Sequence, residues 1–331
     1  MTSASEIKIG SLLTRDEFRA LSTCNDTLAF VHLSVRIAVH AGLLWLMAHS
    51  WLTGKPLLSL AALYLNGVLW QFLGYAGIGH ELFHKKVFSN KNANSFLYRL
   101  FSYFTWNNPS YFEKSHQFHH ASTFHEDDRE IYRDFPLNVA GAARLLLLDY
   151  TSLFKRIAYA VANASGYEVY FSGGIRLKKM RPDHEARRDA ALMLFANTFV
   201  LTIFYLATKS IPLTAMFFLT PFIGHLPNRV LALAQHSGLD DHKDDGALLF
   251  SRTLNLPRPI AFFYANMNYH AEHHLLPSVP YYNLPRLHSI LNEKLKIDRE
   301  EEHLGYLFSR TFWKNVNTTS KGDTEAIAPQ Q

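Results

Sequence analysis

The sequence predicts an all-α, polytopic membrane protein with four transmembrane helices arranged as two hairpins. Three observations carry that prediction. Four long runs contain no Asp, Glu, Lys or Arg; the charged residues gather between and beyond those runs; and about half of the 18 histidines fall into a few short clusters. The 331 residues are 48% hydrophobic and only 18% charged, against about a quarter charged in soluble proteins.

The uncharged runs cover residues 37–54, 56–79, 190–208 and 210–228, close to the ~20 residues that cross a hydrocarbon core of about 30 Å. Extending each to its apolar limits gives expected spans at 30–53, 56–79, 190–208 and 210–235. Lys55 joins the first pair, and Lys209 with Pro212 joins the second, so each pair is expected to form a helical hairpin. Of the 33 Lys and Arg, only Lys55 and Lys209 fall in those two joints. Arg36 and Arg229 lie near the opposite helix ends, where their heads are expected to snorkel. The remainder lie in 1–35, 80–188 and 236–331, which the positive-inside tendency assigns to the cytoplasm together with both termini. The net charge of +5 then reads as a basic face towards anionic headgroups of the lipid bilayer, with no nucleic-acid partner.

The domain reading follows. Residues 1–27 are polar, lack the apolar core of a signal peptide and form a cytosolic N-terminal segment. Residues 28–314 form the membrane domain, and 315–331, rich in Thr, Ser, Asp and Pro, a disordered tail. Between the hairpins, residues 137–164 read as one amphipathic, interfacial helix. The single cysteine, Cys24, excludes a disulfide scaffold and a four-thiolate cluster within one chain. Neither a G-x-G-x-x-G run nor a P-loop is present.

Three histidine boxes carry the chemistry. His80-Glu81-Leu82-Phe83-His84 follows the second run, His116-Gln117-Phe118-His119-His120 lies between the hairpins, and His270-Ala271-Glu272-His273-His274 follows the fourth run. Positions i, i+3 and i+4 share a helix face, so each box presents its histidines to one side. Eight imidazoles exceed the four ligands of a structural zinc site and suit two metals, while imidazole itself accepts iron, zinc, copper or nickel. Neutral imidazoles leave the metal charge uncompensated, so carboxylates should accept their outer N–H groups. Glu81 and Glu272 inside the boxes, and Asp127, Asp128 and Glu130 after the second, are placed to do so. His32, His40, His49, His184, His288 and His303 stand outside the boxes and read as ordinary surface or core imidazoles.

Boxes of the form H-x-x-x-H, H-x-x-H-H and H-x-x-H-H around two hydrophobic hairpins resemble the membrane-bound fatty acid desaturase superfamily. The likeness extends through Ser115–His120 with Asp128-Arg129-Glu130, and through Asn268–His274 with Pro277, Val279-Pro280 and Leu284-Pro285. The run Ala234–Leu239 also resembles a bacterial branch that includes a rhizopine-catabolism oxygenase. The resemblance implies a cytosolic helical cap holding two non-haem irons, dioxygen as co-substrate, and desaturation or hydroxylation of an unactivated C–H bond in an acyl or other apolar substrate. It also implies a ninth histidine near the cytosolic end of the last span, matched here by His236. The rivals are His125 and His242 in loops, and His225, eleven residues or about 16 Å deeper along a regular helix. The position four residues before His236, an Asn in many acyl-CoA desaturases, is Ala232. Electrons would come from a ferredoxin, a Rieske-type protein or cytochrome b5, docking on basic residues such as Lys85, Lys86, Lys178, Lys179 and Arg181. Aromatics such as Phe101, Tyr103, Phe104 and Trp106 are expected to line a pocket or the core.

Two other readings compete. His80-Glu81-Leu82-Phe83-His84 satisfies the H-E-x-x-H pattern of zinc proteases, but leaves the other two boxes idle. A channel or transporter fits poorly, because the boxes lie beyond the apolar runs. The topology reading makes a direct prediction. Accessibility tags after Gly54 and at Lys209 should label from outside the cell, and tags at both termini only from inside; a cytoplasmic tag at Lys55 would sink the four-span arrangement.

Overall fold

A computed structural model describes residues 12–128, 130–131, 139–171, 175–181, 183–239, 246–295 and 301–319. Helices dominate. Helix Asp26–Leu52, capped by Asn25, is 27 residues long, and its partner Pro56–Trp70 starts on a proline at its first turn. Three helical stretches are long and apolar enough to cross a membrane: Arg15–Leu52, Pro56–Phe83 and His184–Thr208. Their outward faces are strongly apolar, with Leu57 81% and Phe195 67% exposed, as suits contact with lipid tails.

The fourth expected span differs from the sequence reading. It does not run unbroken from 210 to 235; the apolar helical stretch is Ile211–Phe222, about 18 Å of helix and too short to cross alone. The chain then breaks at Ile223, where the backbone is extended, and at left-handed Gly224, before helix His225–His236. Pro221 and Gly224 supply the break. A tight crossing exploits it: a Cβ at Gly224 would lie 2.5 Å from Val68 Cγ2, and one at Gly67 would lie 2.8 Å from Ile223 Cβ. The two hairpins therefore touch backbone to backbone, and Gln71 ties them further by donating to the Pro221 carbonyl at 3.0 Å.

The expected helix over 137–164 is also two, Val139–Leu146 and Tyr150–Ala164. Asp149 divides them, capping the second helix through the Ser152 N–H and anchoring the break in the fourth segment. Its N–H donates to Phe222 O at 2.8 Å, Gly224 N–H donates to Leu147 O at 3.3 Å, and Leu148 forms an isolated bridge with Ile223.

Small strands modify the all-α expectation. Tyr167–Tyr170 pairs antiparallel with Arg176–Lys179, and Thr253–Asn255 pairs parallel with Glu301–His303. Arg36 does not snorkel: it is 1% exposed, with its guanidinium on the Phe262 carbonyl and 4.2 Å over the Phe262 ring. Burial inside the bundle, between the first span and the segment leading to the third box, replaces the headgroup contact. Helix Arg310–Thr319 runs into the expected tail; residues 320–331 and 1–11 lie outside the described residues.

The histidine-bearing helices sit where two hydrophobic clusters meet. One gathers Leu73, Ile78, Leu82, Ala271, Leu276 and Leu287 around the first and third boxes. The other gathers Phe72, Leu233, Ala234, Leu254, Tyr264 and Phe312 around the end of helix His225–His236.

Gly224→Ala combines a left-handed φ with overpacking and should lower stability by about 1–3 kcal/mol. Gly42→Ala, where nothing lies within 4 Å of the added carbon, should not. Thermal unfolding of the two variants in detergent checks the contrast.

Candidate metal centre

Nine histidines converge on two adjacent groups. His80, His84, His116, His120 and His273 form one, and His119, His236, His270 and His274 the other; within each group, one donor atom per residue lies within 4.8 Å of every other. The partition follows from helix geometry. The i, i+4 pairs His80/His84, His116/His120 and His270/His274 each stay within one group, while His119 and His273, at i+3, cross to the other. Residues i+3 and i+4 diverge by about 100° around the axis, so one short helix can serve two centres.

Local sequence builds each helix. Asn108 and Pro109 start helix Pro109–Ala121, which carries the second box. The first box occupies Ile78–Phe83 with His84 at its end. The third opens helix His270–Leu275, whose approach is pinned to strand Thr253–Asn255 by Leu254 N–H to Asn268 O and Asn268 Nδ2 to Leu254 O, both 2.8 Å.

The Nε2 atoms face one another. His116 Nε2 lies 3.1 Å from that of His84 and 3.0 Å from that of His120, which is 3.3 Å from that of His273. In the second group, His270 Nε2 lies 2.9 Å from that of His236 and 3.1 Å from that of His274, which is 3.2 Å from that of His119. For metal–imidazole bonds of about 2.1 Å, ligands at right angles sit about 3 Å apart. His80 Nε2, buried and without a hydrogen-bond partner, completes the first set.

The outer nitrogens explain why Nε2 is left to face inward. Glu81 Oε1 lies 3.1 Å from His80 Nδ1 and 3.3 Å from His273 Nδ1. His116 Nδ1 donates to Glu130 at 2.8 Å, His119 Nδ1 to Asp128 at 2.9 Å, and His236 Nδ1 to the Phe250 carbonyl at 3.0 Å. An N–H committed outward fixes the tautomer with its lone pair at Nε2. Such lone pairs repel unless a cation lies between them, and imidazole is a ligand for divalent transition metals. The donor set therefore fits a dinuclear metal centre.

Burial keeps most of these rings neutral. It pushes His84 down to about 3, His120 to about 2 and His236 to about 3, with neighbouring imidazoles adding to the effect at the last two. His119 is the exception: burial is the largest single influence and lowers it, but the hydrogen bond to Asp128 together with the charges of Glu130 and Asp128 raises it overall. Burial alone would raise Asp128, yet hydrogen bonds from His119 and from the Phe124 and Glu130 N–H groups hold it below the usual carboxylate range.

Several sequence readings are corrected. Asp127 is 74% exposed and its carboxylate lies 3.9 Å from His125, because the turn that aims Asp128 inward points its predecessor outward. Glu272 is wholly buried, but its oxygens take Thr253 Oγ1 and His288 Nδ1, each at 2.7 Å, groups from outside the boxes. His288, read from the sequence as ordinary, is thus wired to the third box; its only sequence signal was a short spacing after Leu284-Pro285. His225 is separate from both groups, bridging Asp149 Oδ2 at 3.1 Å and Pro221 O at 2.8 Å. His125 is also outside them, and His242 lies outside the described residues.

The family comparison agrees with this geometry. A model of the fatty acid desaturase family matches residues 55–302, three quarters of the chain. The chain belongs to that family. No curated protein gives a significant match. The matched region holds all three boxes and His236, and membership makes the protein an oxidoreductase of the desaturase and hydroxylase type.

Asp128→Asn should weaken metal retention about 10–100-fold, because the amide is a poorer acceptor for the His119 N–H. Asp127→Asn should leave it unchanged. Metal per chain after graded chelator treatment measures both.

Proposed function

We propose that the chain is an oxygen-dependent oxidoreductase of the membrane that removes hydrogen from an unactivated C–H bond of a fatty acyl or lipid-like substrate, using external electrons. The observation that supports it most is the convergence of nine imidazoles, seven buried and His84 and His120 half-buried, into groups of five and four with Nε2 atoms facing one another. His80, His84, His116, His120 and His273 would hold one iron, and His119, His236, His270 and His274 the other. Two irons bound there supply dioxygen activation and an oxidising equivalent strong enough to take hydrogen from carbon.

The chain's own residues do the rest. Glu81, Glu130 and Asp128 hold the ring protons of their histidines on Nδ1 and offset the metal charge. The buried position of the rings excludes water from the reacting atoms. A small cavity beside the spans, with room for little more than a water, is lined by Trp70, Phe104, Trp106, Val200, Leu201 and Phe217. All four aromatics were expected from the sequence to line a pocket or the core: Phe104 and Trp106 line this cavity, and Phe101, Tyr103 and Trp106 are buried in the core, Tyr103 donating to Asp189 at 2.9 Å. Loss of a second hydrogen gives a double bond and oxygen transfer gives an alcohol, so hydroxylation, including that of a non-lipid small molecule, shares the first step. Electrons enter from a ferredoxin, Rieske-type protein or cytochrome b5. Lys85, Lys178 and Lys179 are exposed and offer such carriers a basic landing surface.

The H-E-x-x-H protease reading loses support here, because Glu81 lies against the outer nitrogens of His80 and His273 and not where a general base would meet a metal-bound water.

Expression with a matched reductase should yield a lipid or small molecule two hydrogens lighter or one oxygen heavier, and purified protein should carry close to two irons. His236→Ala should abolish that product. One zinc per chain, with peptide hydrolysis that dies in Glu81→Gln, would overturn the proposal.

A further inference from the structure

We infer that Arg252 is a positioning residue for His236, fixing the end of its helix and the orientation of its ring towards the four-histidine group. The inference rests on the dinuclear reading above. His236 differs from the other eight histidines in having no box. It is the last residue of helix His225–His236, followed by Ser237 and left-handed Gly238. A helix end leaves its last carbonyls without intrahelical partners and readily frays, so a lone ligand there needs support from elsewhere in the fold.

Residues 250–252 supply it. The Arg252 N–H donates to Gln235 O at 2.8 Å. The guanidinium Nη1 donates to Ala234 O at 2.7 Å and to Ser237 O at 3.2 Å, spanning His236 on both sides. Two residues earlier, the Phe250 carbonyl accepts the His236 Nδ1–H at 3.0 Å. The same short stretch thus closes the helix end and sets the ring's tautomer. Arg252 is 2% exposed, and its guanidinium carbon lies over the Tyr306 ring, 4.9 Å from the ring centroid. A positive charge at a helix C-terminus also suits the helix dipole.

The outer partner of His236 is a backbone carbonyl where His116 and His119 have carboxylates. Its placement therefore depends on where the Phe250–Arg252 backbone runs, and Arg252 locks that backbone to the helix it serves. Lysine keeps the charge on a single flexible ammonium, but lacks the rigid planar guanidinium that carries Nη1 between the two carbonyls and packs against Tyr306.

The test counts iron per chain in detergent-purified wild type, His236→Ala, Arg252→Met, Arg252→Lys and the His236→Ala/Arg252→Met double variant. Wild type should hold near two irons and His236→Ala near one. Arg252→Met should approach one, with chelator resistance of the weaker iron down about 10–100-fold, and Arg252→Lys should fall between. The double variant should lose no more iron than His236→Ala alone, an outcome that general loosening of the fold would not give. Two tightly held irons in Arg252→Met, or further loss in the double variant, overturns the inference. If Arg252→Met does not accumulate folded, Arg252→Lys and its own double variant decide the question in the same way. Failure of the dinuclear reading itself shows in wild type alone, as an iron content far below two.

Discussion

The centre of this fold is governed by the mutual repulsion of nine imidazole lone pairs brought together on rings that are buried, or half-buried at His84 and His120. Nitrogens that face one another at 2.9–3.3 Å, with the ring protons of His80, His116, His119 and His236 committed outward, are unfavourable neighbours in a low-dielectric interior. Charging the rings would be worse, and burial drives most of them towards neutrality. A pair of divalent cations would resolve the conflict, and the rest of the fold serves to hold the rings in place. The carboxylates carry the other half of that balance. Glu81, Glu130 and Asp128 stand behind the rings, so carboxyl groups surround the centre without occupying the inner positions. Burial pushes Glu130 up to about 7, while at Asp128 burial is outweighed by hydrogen bonds that hold it below its usual range.

The membrane helices contribute more than an anchor. Backbone contact between Gly67 and Ile223, and between Gly224 and Val68, sets the two hairpins together at the level where the fourth segment breaks. Asp149 holds that break open. Buried at 1% exposure, it accepts from Arg144 and His225 while its N–H reaches Phe222, and Gly224 joins Leu147 beside it. A straight continuation of the apolar helix would send His236 along the span axis; the break lets helix His225–His236 depart on its own course and bring His236 beside His270. Much of the polar chemistry around the spans is of this structural kind, including Asp189, which joins helix His184–Thr208 to Tyr103 and Ser110.

Short helices make the dinuclear arrangement economical. Because neighbouring helix positions diverge by about 100°, a box of three histidines cannot point wholly at one centre. The second and third boxes each give two rings to one group and one ring to the other, so the same two helices brace both centres. Glu272, at the middle of the third box, faces away from the rings towards Thr253 and His288 and fastens that helix to the strand and to helix Leu284–Lys294.

The sequence by itself determined the membrane character, the hairpins' approximate limits, the three boxes and the match of His236 to the ninth position. These are signals of composition and spacing within a few turns of helix, and such signals survive in one dimension. The sequence also ranked Asp128 and Glu130 with Asp127, since nothing in adjacent residues says which side chain a turn aims inward. Only the tertiary structure separated them, divided the nine histidines into five and four, broke the fourth apolar segment at Gly224, buried Arg36 and drew His288 and Arg252 into the surroundings of the centre. Each of those outcomes depends on contacts between residues far apart in the chain, and hydrophobic periodicity records which face of a helix is buried but not against what it is buried.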